Sequence, residues 1–159
     1  MKIFVVSDTH SSIEEFIVKM NTMEKPDLII HLGDYVEDGI KVENETNIKT
    51  IIVKGNGDYF NQEYKEEEIL EIKDRRIFIT HGHKYRVGYG VENLLYRGEE
   101  LEAEIILFGH THVPIAIEKS GIIIMNPGSP SIPRGFDRKK TFGVLEVGEK
   151  IKMRIIEVE

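Results

Sequence analysis

Short apolar runs alternate with helical patterns along the first two-thirds of the chain. We predict buried strands over residues 2–7, 27–32, 49–54, 76–80 and 104–108. Apolar positions spaced at about 3.6 residues predict a helix over residues 12–24, with a Ser12–Glu15 capping box at its start and Pro26 as its stop. A second helix around Val91–Leu101 is weakened by Gly98. This alternation is typical of βαβ units in a parallel sheet.

The last third of the chain has the pattern of antiparallel hairpins. Runs at residues 113–118 and 121–125 flank a Ser120-Gly121 turn, and runs at 141–147 and 150–158 flank Gly148-Glu149. Residues 68–72 and 76–80 form a further candidate hairpin. Parallel strands early and hairpins late predict two mixed sheets that pack face to face with helices outside. The fold class is therefore α/β, or α+β on a stricter definition.

Length and composition exclude several classes of protein. A chain of 159 residues fits one domain, which we expect to span residues 1–159. The formal charge of −7 argues against a broad basic surface for nucleic acid. Without cysteine there is no disulfide scaffold and no thiol catalysis. No apolar run approaches the roughly 18–20 residues of a membrane span, and Asp8 interrupts any secretory signal, so we expect a cytoplasmic protein.

Side chains that bind metal ions follow five of the predicted strands. They are Asp8, His10, Asp34, Asn56, His81, His110 and His112. Ligands bind at the carboxyl ends of strands in open α/β sheets, so these donors can converge there. Seven donors are too many for one tetrahedral zinc ion but suit two ions that share a carboxylate. A set without sulfur fits Mn²⁺, Fe, Zn²⁺, Co²⁺ or Ni²⁺, and such two-metal sites favour phosphoester hydrolysis.

The donors lie within five short motifs, which are Asp8-Thr9-His10, Gly33-Asp34, Gly55-Asn56-Gly57-Asp58, His81 and Gly109-His110-Thr111-His112. These motifs resemble those of the calcineurin-like metallophosphoesterases, in particular their small bacterial and archaeal phosphodiesterase branch. Asn126-Pro127-Gly128-Ser129 and Pro133-Arg134 are also similar to that branch. The resemblance implies a four-layer αββα sandwich, in which two mixed sheets are flanked by helices.

The resemblance also implies a distribution of ligands. It gives Asp8, His10 and His112 to a first divalent ion, gives Asn56, His81 and His110 to a second, and makes Asp34 the bridge. Mn²⁺ is our first expectation for both ions, with Ni²⁺, Co²⁺, Fe or Zn²⁺ as alternatives. In such enzymes a metal-bridging hydroxide attacks phosphorus in line.

One position departs from the family pattern. Many members carry a histidine after the Gly-Asn pair, where it helps to protonate the leaving group, and this chain has Gly57. A general acid contributes roughly 10²–10⁴-fold, so we expect activity on diesters or activated esters and weak activity on alkyl monoesters. The catalytic candidates are Asp34, His83 and Asp58. His83 is the nearest candidate donor, while Asp58 has turn ordering as its alternative role.

The expected substrate contacts are Asn56, His83, Asn126 and Arg134. For the Asn126-Pro127-Gly128-Ser129 motif, a plain turn is an equal alternative to a supporting or phosphate-contact role, and for Arg134 the alternative is a plain surface charge. His31 lies within an apolar run and is better explained as a hydrogen-bonded core histidine than as a ligand.

Three other functions are alternatives to a phosphodiesterase. A phosphomonoesterase would use the same centre, and so would a nuclease, although the negative charge and the short chain disfavour stable nucleic-acid binding. A eukaryotic retromer subunit shares the family fold and presents a surface to partner proteins, but here all seven ligand positions are filled. We expect a small phosphodiester or activated phosphoester as substrate, no membrane partner, and a dimer or tetramer as the oligomeric alternative to a monomer.

Overall fold

The computed structural model describes Met1–Glu159 and contains ten strands and three α-helices. In chain order they are β1 (Lys2–Val6), α1 (Glu14–Met20), β2 (Leu28–His31), α2 (Val36–Thr46), β3 (Thr50–Ile52), β4 (Glu67–Ile72), β5 (Arg75–Thr80), α3 (Glu92–Glu100), β6 (Ile105–Leu107), β7 (Ile115–Lys119), β8 (Ile122–Asn126), β9 (Thr141–Val147) and β10 (Ile151–Glu157). None of the helices combines the length and the apolar character that crossing a membrane requires.

The strands form two mixed sheets of five. The first sheet has the order β10-β9-β1-β2-β3, with β1, β2 and β3 parallel and the β9–β10 hairpin antiparallel beside β1. The second sheet has the order β4-β5-β6-β8-β7, with β5, β6 and β8 parallel between two antiparallel edge strands. The predicted fold class and the predicted pair of mixed sheets are therefore confirmed.

Side-chain alternation along the strands builds the layers. In β1, Ile3 and Val5 enter the cluster between the two sheets, while Phe4 and Val6 enter the cluster beneath α1 and α2. A third cluster joins the outer face of the second sheet to α3 through residues such as Phe78 and Leu94. Three buried apolar clusters separated by two sheets give the four-layer αββα arrangement.

The first helix is shorter than its sequence pattern indicates. It begins at Glu14, its N-cap residue is Ile13, and no side chain caps it, so the predicted Ser12–Glu15 capping box is wrong. Residues 8–11 turn sharply after β1, and the backbone N–H of Ser12 donates to Thr9 O at 3.0 Å. This turn delays the helix, which then ends at Met20, well before Pro26.

The second helix, α2, has no counterpart among the sequence predictions. It contains Gly39 and several acidic residues, and its buried apolar side chains are only Val36 and Val42. A Cβ atom at Gly39 would lie 2.8 Å from Ile52 Cδ1, so this glycine permits the close approach of α2 to β3. The helix begins two residues after Asp34 and so lies directly beside the candidate ligands.

Candidate metal centre

The predicted ligands meet where the parallel strands of both sheets end. Asp8 and His10 follow β1, Asp34 follows β2 and Asn56 follows β3, all in the first sheet. From the second sheet, His81 follows β5, and His110 and His112 follow β6. Because the two sheets pack face to face, these loops lie at one edge of the sandwich.

One group of donors matches the set expected for a first ion. Ligand atoms of Asp8, His10 and His112 all lie within 4.8 Å of one another. Within this group, Asp8 Oδ1 lies 3.3 Å from His112 Nε2.

The remaining donors adjoin this group through Asp34 and His81. Asp34 Oδ2 lies 3.8 Å from His10 Nε2 and 3.6 Å from His81 Nε2, which places this carboxylate between the two halves of the centre. The ring centroids of His81 and His110 are 5.2 Å apart, and His110 Nδ1 lies 3.0 Å from Asn56 Oδ1. All seven predicted side chains therefore form one contiguous cluster.

Asp8 and Asp34 each have one carboxylate oxygen that accepts a backbone hydrogen bond. The other oxygen of each is directed into the cluster. Asp8 Oδ2 accepts a hydrogen bond from the backbone N–H of His110 at 2.9 Å, and Asp34 Oδ1 accepts one from Gly57 N–H at 2.8 Å. His81 is anchored in the same way, since its Nδ1 lies 2.7 Å from Leu32 O. Hydrogen bonds of this kind orient metal ligands and leave the opposite atom free.

Several buried polar atoms of the cluster have no partner in the protein. They are Asp8 Oδ1, His10 Nε2 and His81 Nε2. His83 Nδ1 lies nearby and is also buried without a hydrogen-bond partner. Buried polar atoms normally find a hydrogen-bond partner, so a group of such atoms that face one another indicates a ligand between them. Imidazole nitrogens and carboxylate oxygens fit divalent metal ions.

Charge and burial set the protonation of the cluster. Burial would raise the pKa of Asp8, but the nearby imidazoles of His112 and His81 hold it below its ordinary value. Burial lowers the pKa of His10 and of His110. Neutral imidazoles and an ionised carboxylate are the forms that bind a metal ion.

Five of the seven candidate ligands adopt left-handed backbone conformations. They are Asp8 (φ 57°), His10 (φ 45°), Asp34 (φ 46°), His110 (φ 70°) and His112 (φ 59°). Non-glycine residues rarely adopt this region, and such strain concentrates at functional sites. No sequence signal identified these residues as turning residues.

The space around Gly57 is filled by its neighbours. A Cβ atom at this position would lie 2.9 Å from Asp34 Oδ1 and 3.0 Å from Tyr35 Cε1. The Tyr35 ring also packs edge-on against His10, with ring centroids 5.1 Å apart. A histidine at position 57 would require this tyrosine to move.

Asp58 supports the loop that carries Asp34. Its two carboxylate oxygens accept hydrogen bonds from three backbone N–H groups, those of Asp34 (3.0 Å), Val36 (2.9 Å) and Gly55 (2.8 Å). The side chain is buried. This geometry matches the turn-ordering role that the sequence left open.

The candidate substrate contacts differ in how far they are accessible. His83 is half-buried beside the cluster, with its ring centroid 5.5 Å from that of His81. Arg134 is exposed, its backbone N–H donates to His112 O at 3.1 Å, and its guanidinium forms no ion pair. Asn126 is fully buried, and its Nδ2 donates to Gly109 O (2.9 Å) and Thr111 Oγ1 (3.0 Å). Asn126 therefore supports the loop of His110 and His112 from below.

Two serines that we did not single out support the first ligand loop. Ser129 Oγ donates to Asp8 O at 2.8 Å, and Ser131 Oγ donates to Thr9 O at 2.7 Å. These partners are more than 120 residues apart in sequence. The only sequence signal was the motif that ends at Ser129.

The αββα sandwich and the imidazole, carboxylate and amide donors at its strand ends match the arrangement expected of a metallophosphoesterase. A family model for the calcineurin-like phosphoesterase superfamily domain matches residues 1–150. The chain belongs to this superfamily.

Similar proteins are found in archaea and bacteria. A probable metallophosphoesterase of Methanocaldococcus jannaschii, MJ0623, is 35% identical over 162 residues, which cover 100% of this chain and 82% of the relative. The phosphodiesterase YfcE of Escherichia coli is 29% identical, and the match covers 92% of this chain and 88% of that protein.

Solved structures share the whole fold. A protein of Streptococcus pneumoniae described as a predicted phosphoesterase has a TM-score of 0.82 at 32% identity, covering 99% of this chain and 89% of that one. A structure described as a novel archaeal phosphodiesterase has a TM-score of 0.75 at 28% identity, covering 99% of each chain. Vps29 of Entamoeba histolytica in complex with Zn²⁺ has a TM-score of 0.80 at 20% identity, covering 100% of each chain, and shows likeness of fold alone.

Proposed function

We propose that this protein is a phosphodiesterase that depends on two divalent metal ions. The observation that carries the proposal is the cluster of seven donors, in which Asp8 Oδ1, His10 Nε2 and His81 Nε2 are buried without a partner. The likeness to YfcE and to the archaeal phosphodiesterase supports the same reaction.

The ligands divide between the two ions around Asp34. Asp8, His10 and His112 would hold one ion, and Asn56, His81 and His110 the other, with Asp34 Oδ2 between His10 and His81. When bound, two such ions activate water as a nucleophile and offset the negative charge that develops on the phosphoryl oxygens. Backbone hydrogen bonds to Asp8 and Asp34 orient the two carboxylates that would hold the ions.

The surroundings of Gly57 favour diesters and activated esters. Gly57 has no side chain that could protonate a leaving group, and Tyr35 occupies the adjacent space. His83 has an unpartnered Nδ1 beside the cluster, so we assign it contact with the phosphate or its leaving group. Arg134 is exposed near His112, where its guanidinium can bind a phosphate oxygen.

The test begins with metal-free protein that is reconstituted separately with Mn²⁺, Ni²⁺, Co²⁺, Fe²⁺ and Zn²⁺. We expect close to two ions per chain by elemental analysis and the highest activity with Mn²⁺. Rates on bis-p-nitrophenyl phosphate should exceed those on p-nitrophenyl phosphate. A protein that hydrolyses neither ester with any metal would overturn the proposal, and a faster rate on the monoester would replace it with a phosphomonoesterase.

A non-catalytic scaffold is the second candidate, because Vps29 structures share this fold. The two candidates differ in how they depend on Asp8. An enzyme loses activity in an Asp8→Ala variant, since Asp8 faces both His81 and His112. A scaffold would bind a stoichiometric partner equally well with and without this substitution.

A further inference from the structure

Three buried side chains beside the proposed metal centre are linked by hydrogen bonds, and none of them is a candidate metal ligand. Thr9 lies between the ligands Asp8 and His10, and its hydroxyl contacts two further side chains, His31 and Asp38. The distances are 3.0 Å from Thr9 Oγ1 to His31 Nε2 and 2.5 Å to Asp38 Oδ2. All three side chains are buried.

The hydrogen bonds between these three side chains have one consistent direction from donor to acceptor. The backbone N–H of Gly33 donates to His31 Nδ1 at 3.2 Å, so the ring proton is on Nε2. His31 Nε2–H then donates to Thr9 Oγ1, and the Thr9 hydroxyl donates to Asp38 Oδ2. The backbone N–H of Ser11 also donates to Asp38 Oδ2, at 2.8 Å.

These contacts join the segments that carry three of the ligands. Asp38 binds Thr9 and Ser11, the residues on either side of His10, and it lies on α2, which starts just after Asp34. His31 binds Gly33, the residue before Asp34. Asp8, His10 and Asp34 all have positive φ, so their backbones need support from the surrounding structure.

We propose that the His31–Thr9–Asp38 chain positions His10 and Asp34 relative to each other and thereby sets the metal affinity of the centre. This inference rests on the proposed metal centre. Groups behind the ligands of a metal site commonly change its affinity by about 10–100-fold when they are removed. Loss of the Thr9 hydroxyl would also leave the buried Asp38 carboxylate and the His31 N–H without their common partner.

The test compares Thr9→Val with Thr9→Ser in metal-free protein titrated with Mn²⁺. Valine preserves the shape of threonine and removes the hydroxyl, while serine keeps the hydroxyl. We expect Mn²⁺ affinity to fall about 10–100-fold in Thr9→Val and to stay close to wild type in Thr9→Ser. Val144→Ala, a core substitution in β9 away from the ligands, is the matched control for a general loss of stability.

The outcomes separate positioning from simple core stability. If Thr9→Val lowers the melting temperature of the metal-free protein but binds Mn²⁺ as wild type does, the proposal is overturned. If Thr9→Val does not fold, Asp38→Asn replaces it, because asparagine keeps an acceptor for the Ser11 N–H but removes the charge. Unchanged Mn²⁺ affinity in Asp38→Asn would then overturn the proposal. A wild-type protein that binds none of the five metals rejects the metal centre itself, which is a different failure.

Discussion

At the scale of individual residues, the carboxylate of Asp34 lies between the two halves of the candidate metal centre. Its Oδ2 faces His10 and His81, and its Oδ1 accepts the Gly57 N–H. Substitution should therefore affect both ions, whereas loss of His112 directly affects one.

We expect Asp34→Asn to reduce hydrolysis of bis-p-nitrophenyl phosphate by more than the roughly 10–100-fold typical of a group behind the ligands. The amide removes the charge that would join the two ions but keeps the size of the side chain. Steady-state rates at saturating Mn²⁺ measure the effect. Glu37→Gln, an exposed position three residues along the chain, is the control and should retain full activity. Equal activity of both variants would exclude the bridging role.

The buried His31 makes stability depend on pH. Burial lowers its pKa to about 4, whereas an unfolded chain titrates near the ordinary value of 6.5. Between these values the unfolded state binds a proton that the folded state does not bind, so stability falls as the pH decreases from 6.5 toward 4.

We expect the His31 contribution to decrease the free energy of unfolding by about 2 kcal/mol between pH 7 and pH 5. The measurement is urea denaturation of metal-free wild-type protein and His31→Gln at both pH values. All other ionisable groups are the same in both proteins, so their effects cancel in the difference. A His31→Gln variant that loses as much stability as wild type over this interval would contradict the assignment.

Among the elements, α3 shows how packing can reverse a helix propensity. The sequence marked Gly98 as a weakness in this helix, yet a Cβ atom there would lie 2.4 Å from Ile106 Cδ1 of β6. Gly98 is buried, and Ile106 is fully buried. The glycine therefore allows α3 to approach the second sheet.

Gly98→Ala should lower stability although alanine is the better helix former. Overpacking costs about 1–3 kcal/mol, against a propensity gain of about 1 kcal/mol, so we expect a net loss near 1 kcal/mol. Ile106→Val removes the contacting Cδ1, and the double variant should be more stable than the two single losses predict. Denaturation of all four proteins gives the coupling, and strict additivity would argue against this contact.

The strands were easier to predict than the helices. Apolar runs such as residues 2–7 and 141–147 identified strands because burial on one or both faces imposes a short repeat. The start of α1 depends on a ligand loop whose geometry is set by distant partners, including Ser131. The helix α2 was missed because packing of Val36 and Val42 beneath a mostly polar sequence stabilises it.

For the whole molecule, the proposed metal centre lies between the two sheets and takes side chains from both. Asp8, Asp34 and Asn56 come from the first sheet, and His81 and His112 from the second. Ions bound between them favour the folded state, because an unfolded chain does not hold these donors together.

Adding Mn²⁺ to the metal-free protein should therefore raise its melting temperature. At a hundredfold excess over the dissociation constant, the gain is about 2.7 kcal/mol, or roughly 5–10 °C for a domain of this size. Thermal scans with Mn²⁺ and with a chelator measure the shift. Glu37→Gln should keep the shift and Asp34→Asn should lose most of it. A shift that survives in Asp34→Asn would locate the stabilising ion elsewhere.

The sequence alone determined the class of fold and the types of ligand. Apolar periodicity is a local property of the chain, and Asp, Asn and His placed directly after strands must lie at strand ends. The tertiary structure determined the orientation of each donor side chain. Asp8 is fixed by the distant His110 N–H, and Thr9 by His31 and Asp38, through contacts between segments far apart in sequence. No local pattern encodes such contacts, because they form only when the two sheets and α2 have packed together.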